Sequence, residues 1–318
     1  MIDLYWYRSD PIFKNIFLDT DQCHRQIKKY PGLHGYFIDA MNVTNFRNML
    51  DNGPAIAITN SILKNYEFLN LVEPVSNSFY GIYYTNYQPE ECVVVKHFNC
   101  FINRMDPIRQ SWLYQLFRRG LFDRGYVSFN MDISRHPNPN NISRADMFEK
   151  QYQEQLTIFK AEHLQAQKIV PYKNFTDNGN LTNTIMSSKF SVILETYFNN
   201  NNIVTYSEKI FRALQLPRPW ILFGPRLAVT HLRSMGFDVY DDIVNHDRYD
   251  LIEFEIDRQV VILDMMEELC NLNIIKLNAR LIQGQIHNQN LLKQFNNTWK
   301  EDFLITLSNA QQRLNNAN

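Results

Sequence analysis

Glu195, Ser207, Glu208 and Lys209 have the types and spacing best suited to chemistry in this chain. Glu195 closes the apolar run KFSVILET (189–196), and Ser207-Glu208-Lys209 opens the amphipathic stretch SEKIFRAL (207–214) after an Asn-rich connection. The first stretch predicts a buried strand, and the second a helix with a capping serine and an acid in its first turn. In open parallel sheets, ligands sit where strand carboxyl ends meet the N-termini of the following helices. A carboxylate there can accept hydrogen bonds from the two ribose hydroxyls of a nucleotide. A helix N-terminus offers free N–H groups and a positive dipole end to an anion, and Lys209 adds a mobile cation. A diphosphate matches that set. Ser207 and Glu208 are equally the residues an ordinary helix start uses.

The elements that position these residues alternate along the chain. Candidate strands are IDLYWYR (2–8), HGYFIDAM (34–41), AIAITN (55–60) and FYGIYYTN (79–86), with a helix from Val43 to Asn52. Aromatic and β-branched content supports the strands, and Gly53-Pro54 and the serines near 76–78 break them. VVVKHFNCFIN (93–103) reads as a buried strand. The helix IRQSWLYQLFRRG follows it, opened by Asp106-Pro107 and stopped at Gly120. Next come a strand GYVSFN (125–130), a Pro-rich loop (136–141) and helical sequence over 143–167. Then KFSVILET, SEKIFRAL, PWILFG (219–224), LAVTHLRSMG (227–236) and FDVY (237–240) alternate strand and helix with short links, which specifies a parallel, Rossmann-like sheet. The apolar spacing in VVILDMMEEL and LLKQFNNTWKEDFLITL makes 251–318 mostly helical.

The stretch KFSVILETYFNNNNIVTYSEKIFRALQLPRPWILFGP resembles the donor-binding motif of α-1,3-fucosyltransferases and related GT-B glycosyltransferases. That motif runs roughly F-x-L-x-x-E-N-S, then Y-V-T-E-K-x-x-x-A-L, then V-P-V-V-x-G. Glu195 stands on its glutamate, Ser207-Glu208-Lys209 on T-E-K, Ala213-Leu214 on A-L, and 219–224 on the strand that follows. Thr196-Tyr197 stands where the family has Asn-Ser, and Ser207 where it has Thr. A fainter likeness to glycosyltransferase-like proteins of viruses and bacteria continues through LRSMGFDVY and DRYD.

The resemblance implies an α/β, GT-B-like fold. It would have two Rossmann-like domains: a small acceptor-side domain over 1–92 and a nucleotide-sugar domain over 93–250, with C-terminal helices over 251–318 packing on them. It implies that Glu195 binds ribose, that Lys209 binds the β-phosphate, and that Ser207 and Glu208 line the same edge. The family's arginine near the first strand of this domain has two counterparts in FINRMDPIR, Arg104 and Arg109. Arg104 follows the strand directly. Arg226, after Gly224-Pro225, is a further candidate for phosphate or sugar. A general base would come from the first domain, with His34, Asp39 and Asp19 as candidates and Asp39 and His34 ranked equally. The co-substrate would be a UDP- or GDP-linked sugar, with no metal and no other cofactor, because cations and a helix N-terminus neutralise the departing diphosphate. The D-x-D triplet Asp19-Thr20-Asp21 reads as a solvated loop.

Composition bounds these expectations. The 318 residues are 45% hydrophobic and 20% charged with a formal net charge of -1, so no global field draws the chain to nucleic acid or an anionic membrane. The window from Lys96 to Arg124 is locally basic, with Lys96 and five arginines against Asp106 and Asp123. The four cysteines lack metal-site spacing and read as buried or incidental thiols. With neither a signal-like N-terminus nor a long apolar span, the expectation is a soluble, cytoplasmic protein. Asn-rich stretches suit an AT-rich coding genome, as in a virus, whose product would work in host cytoplasm. The acceptor stays open between a glycan, a protein and a hydroxymethylated phage DNA base. The alternative is a nucleotide-binding or interaction protein that kept the fold without catalysis.

Overall fold

The computed structural model describes residues 3–6, 34–38, 55–59, 71–74, 77–89, 92–102, 107–129, 178–195, 204 and 206–317. The chain divides into two compact units. One comprises Met1–Tyr84, Asn199–Thr205 and Asn290–Asn318, and the other Thr85–Phe198 and Tyr206–Gln289.

The first unit holds a four-stranded parallel sheet in sequence order. Its strands are β1 (Asp3–Trp6), β2 (His34–Ile38), β3 (Ala55–Thr59) and β4 (Leu71–Pro74). Tyr5 lies beside Tyr36, Tyr36 beside Ala57, and Ala57 beside Val72. Three of these strands coincide with expected ones. The fourth, LVEP, does not, and FYGIYYTN is not a strand. Residues Asn77–Tyr83 form a 3-10 helix instead. Gly81 has no room for a Cβ there, because the backbone of Phe295 and Asn296 lies against it. That close approach outweighs the strand propensity of the aromatics. The helix expected over 43–52 lies outside the described residues.

The second unit is a four-stranded parallel sheet in the order β6-β5-β7-β8 with helices around it. Its elements in chain order are β5 (Lys96–Ile102), α1 (Pro107–Arg118), β6 (Gly125–Phe129), α2 (Asn178–Met186), β7 (Ser188–Leu194), α3 (Glu208–Leu214), β8 (Trp220–Phe223), α4 (Ala228–Ser234), α5 (Asp247–Asp250), α6 (Glu255–Cys270) and α7 (Asn278–Ala317). The division between the units falls within α7, after Gln289. Every residue of β8 is buried, as is every residue of β7 except Lys189, which explains their nearly unbroken apolar sequences. Trp112 of α1 stacks on Phe223 of β8 at 5.3 Å between ring centroids, and Ser111 donates to Gln259 of α6 at 3.1 Å. α2 was not anticipated: NGNLTNTIM is rich in poor helix formers. It is held by Leu181, Ile185 and Met186, which pack with Leu216.

The expected strand FDVY is absent. Asp238 N donates to Asn288 Oδ1 at 2.8 Å, Tyr240 N donates to Asp238 Oδ1 at 3.0 Å, and Tyr240 turns to a φ of 61°. With those donors held by side chains, no ladder forms. Arg280 braces the same segment through Asp238 at 2.6 Å and Asp242 at 2.7 Å. The helix expected over 143–167 and the loop at 136–141 lie outside the described residues. Among the described residues, no helix is long and apolar enough to cross a membrane.

Strand order places the site. From β5 the chain steps outward to β6, then returns to the other side of β5 for β7 and β8. The order therefore reverses between β5 and β7, and at such a switch point a crevice opens at the strands' carboxyl ends.

Candidate functional site

Glu195 stands one residue past β7, at that switch-point edge. Its N–H continues the ladder to the Phe223 carbonyl at 2.9 Å, so its backbone is fixed by the sheet. From α1, the helix that follows β5, the buried Arg109 reaches across and donates from Nη2 to the Glu195 carbonyl. Arg109 thus braces the backbone under Glu195.

The Glu195 side chain is 1% exposed. Both carboxylate oxygens accept from Ser207 N, each at 3.2 Å. Burial pushes the Glu195 carboxyl above its ordinary range, partly offset by the Lys209 charge and by the hydrogen bonds from Ser207. Gly224, at the end of β8, lies directly against this side chain: a Cβ there would sit 3.2 Å from Glu195 Cβ and 3.3 Å from its Cγ.

Ser207 caps α3, with an extended backbone and its Oγ accepting from Lys209 N. Lys209 Nζ donates to Ser207 Oγ at 3.1 Å and pairs with Glu208 at 3.3 Å, and its side chain is 30% exposed. Tyr206, just before the cap, is buried and donates to the Ala228 carbonyl at 2.7 Å. It also stacks on His231. The entry to α3 is therefore tied to Glu195 on one side and to α4 on the other.

The neighbouring loop between β8 and α4 is held from below. Asp250 accepts from Val229 N at 3.0 Å and from Thr230 N and Oγ1, each at 2.8 Å. Its own carbonyl takes Leu227 N at 2.9 Å. The buried Arg258 of α6 donates from Nη2 to the Gly224 carbonyl at 3.0 Å. Arg226 is exposed and donates from Nε to the Leu251 carbonyl at 3.0 Å.

Of the residues singled out in the sequence, Glu195, Ser207 and Lys209 are brought into one hydrogen-bonded group, with Glu208 paired to Lys209. Arg109 joins it through the Glu195 backbone, and Arg226 lies on the adjoining loop. Arg104, Asp19 and Asp39 lie outside the described residues. His34 opens β2, at the amino end of that strand rather than its carboxyl end. Sequence reasoning missed Asp250 and Arg258. The signal for Arg258 is a cation set in the otherwise apolar register of α6, and Asp250 carries no comparable one. Among the described residues, no group of three His, Cys, Asp or Glu side chains is placed to hold a metal ion. No protein-family model matches the chain, and no curated protein matches it significantly.

Proposed function

We propose that the second unit binds a nucleotide-activated sugar and that the protein is a metal-independent, GT-B-like glycosyltransferase. It would transfer the sugar to a hydroxyl of a glycan, a protein or a modified DNA base. The observation that supports this reading most is the grouping of Glu195 with Ser207 and Lys209 at the switch-point edge of a parallel sheet. These are the positions on which the donor-motif resemblance rests. A carboxylate at the end of β7 suits ribose hydroxyls, and a partly exposed lysine at the start of α3 suits a diphosphate. The first unit holds a second parallel sheet, as a two-domain enzyme of this kind would have.

The test is a donor screen. UDP- and GDP-sugars are incubated with the full chain and glycan, protein and hydroxymethylated DNA acceptors, and nucleotide release is measured. Turnover with one donor, lost in Lys209→Ala, supports the reading. Nucleotide binding without turnover on any acceptor points instead to a binding protein that kept the fold. Absence of both binding and turnover contradicts the proposal.

A further inference from the structure

The amino edge of the second unit's sheet, the end opposite Glu195, gathers cations. Lys96 lies beside Ser188, and Phe98 lies beside both Gly125 and Phe190, so His97 stands in register between Arg124 on one side and Lys189 on the other. Lys189 Nζ donates to the Cys270 carbonyl at 2.7 Å, and His97 Nδ1 donates to the same carbonyl at 2.9 Å, closing the C-terminal end of α6. Lys96 Nζ donates to the Asp123 carbonyl at 2.8 Å. Burial and the charges of Lys189, Arg124 and Lys96 hold the His97 imidazole below its ordinary pKa, so three cations crowd a neutral ring.

No carboxylate balances them. Among the described residues no acid pairs with Lys96, Arg124 or Lys189, and the Arg124 guanidinium makes no hydrogen bond. Asp264 and Glu267 of α6 are paired with Arg119, and the exposed Asp123 gives Lys96 only its carbonyl. Immediately before Lys96 stand Val93 and Val95, 82% and 62% exposed, and no other large apolar side chain among the described residues is so open to solvent. Their segment is anchored: Val95 N donates to the Ser187 carbonyl at 2.9 Å, and Lys96 N to the same carbonyl at 3.2 Å. Apolar side chains held in water beside unbalanced cations mark an interaction surface.

We propose that this edge docks on an anionic phospholipid surface, with Lys96, Arg124 and Lys189 on the headgroup phosphates and Val93 and Val95 at the boundary between headgroups and acyl chains. Cations draw the chain to anionic headgroups, and fixed apolar side chains beside them gain from leaving water at that depth. A nucleic acid would balance the cations and leave the valines exposed. The chain's formal net charge is -1, so the attraction is local and acts within about 10 Å of the surface at ordinary salt. The edge lies the length of a strand from Glu195, so the inference stands apart from the nucleotide reading.

The test is flotation of the full chain with vesicles of phosphatidylcholine alone and of phosphatidylcholine with phosphatidylserine, at low and at high salt. The variants are Arg124→Gln and Val93→Ser. The first side chain has no partner to lose and the second is open to solvent, so both proteins keep the wild-type thermal midpoint. The expected result is association with the phosphatidylserine vesicles alone, weakened by salt, with a partition coefficient about fivefold lower in each variant. No association, equal association with both kinds of vesicle, or association that either substitution leaves unchanged overturns the inference. Binding of a random-sequence DNA duplex that Arg124→Gln weakens and Val93→Ser does not, without vesicle binding, overturns it in favour of a nucleic-acid surface.

Discussion

Replacing Glu195 with glutamine should make the protein more stable at neutral pH and weaker as a nucleotide binder. The carboxylate is 1% exposed, and burial outweighs the compensating Lys209 charge and the hydrogen bonds from Ser207, so its pKa is raised. A group protonated more readily in the native state than in the unfolded chain loses stability as pH rises. Below the unfolded value of about 4.5, both states carry the proton and glutamate costs nothing extra. Above it the unfolded chain ionises first, and the native state falls behind until its own carboxyl ionises. Glutamine has nearly the same shape, and its carbonyl oxygen alone can take Ser207 N–H. Removing the buried charge should then contribute about 1–2 kcal/mol at pH 7.5, or roughly 3–6 °C in thermal midpoint. The assay is urea unfolding of both proteins from pH 4.5 to 8. The two curves should meet near pH 4.5 and separate upward in favour of Glu195→Gln, while nucleotide binding falls at least tenfold in the same variant. A variant less stable than wild type at pH 7.5 would show that the charged carboxylate is a favourable anchor for α3, and the reasoning would fail.

Three further expectations follow from the same neighbourhood. Gly224→Ala places a methyl 3.2–3.3 Å from the Glu195 side chain and should cost about 1–2 kcal/mol in urea unfolding while weakening nucleotide binding. Asp250→Ala strips Val229 N, Thr230 N and the Thr230 hydroxyl of their acceptor and should cost about 2–3 kcal/mol, read as a lower thermal midpoint. His246 is fully buried, with Nε2 donating to the Val239 carbonyl at 2.8 Å and Nδ1 accepting from the Tyr249 hydroxyl at 2.7 Å. Burial lowers its pKa from 6.5 to about 4, so the unfolded chain takes up the proton first on acidification. That residue should therefore withdraw about 3 kcal/mol of stability between pH 6.5 and 4, and His246→Gln should flatten that part of the pH–stability curve.

What the sequence reveals divides along physical lines. β7 and β8 are legible because strands buried on both faces must be apolar throughout, and α3 because a capping serine and an amphipathic register mark its start. The grouping of Glu195 with Ser207 and Lys209 is legible for the same reason: it needs only one strand, one loop and one helix in order. The rest depends on distant partners. FYGIYYTN has the composition of a strand, yet Asn77–Tyr83 is a 3-10 helix whose Gly81 lies against the distant backbone of Phe295 and Asn296. FDVY loses its ladder to Asn288 and to the positive φ of Tyr240. Asp250 and Arg258 act on loops well before them in the chain, and no local pattern announces such a partner. Arg109 shows the limit for a single residue, since its type suggests an anion ligand while its place makes it a brace for Glu195.

The central claim is that Glu195 and Lys209 form a nucleotide-sugar site, and its most direct test is calorimetric titration of UDP- and GDP-sugars into wild type and Lys209→Ala. The Lys209 side chain is partly exposed, so its truncation leaves the fold intact. Wild type should bind one nucleotide sugar saturably, and the variant should bind it at least tenfold more weakly, a loss of about 1.4 kcal/mol or more. Binding of equal strength in the two proteins, or no binding of either nucleotide sugar, would contradict it.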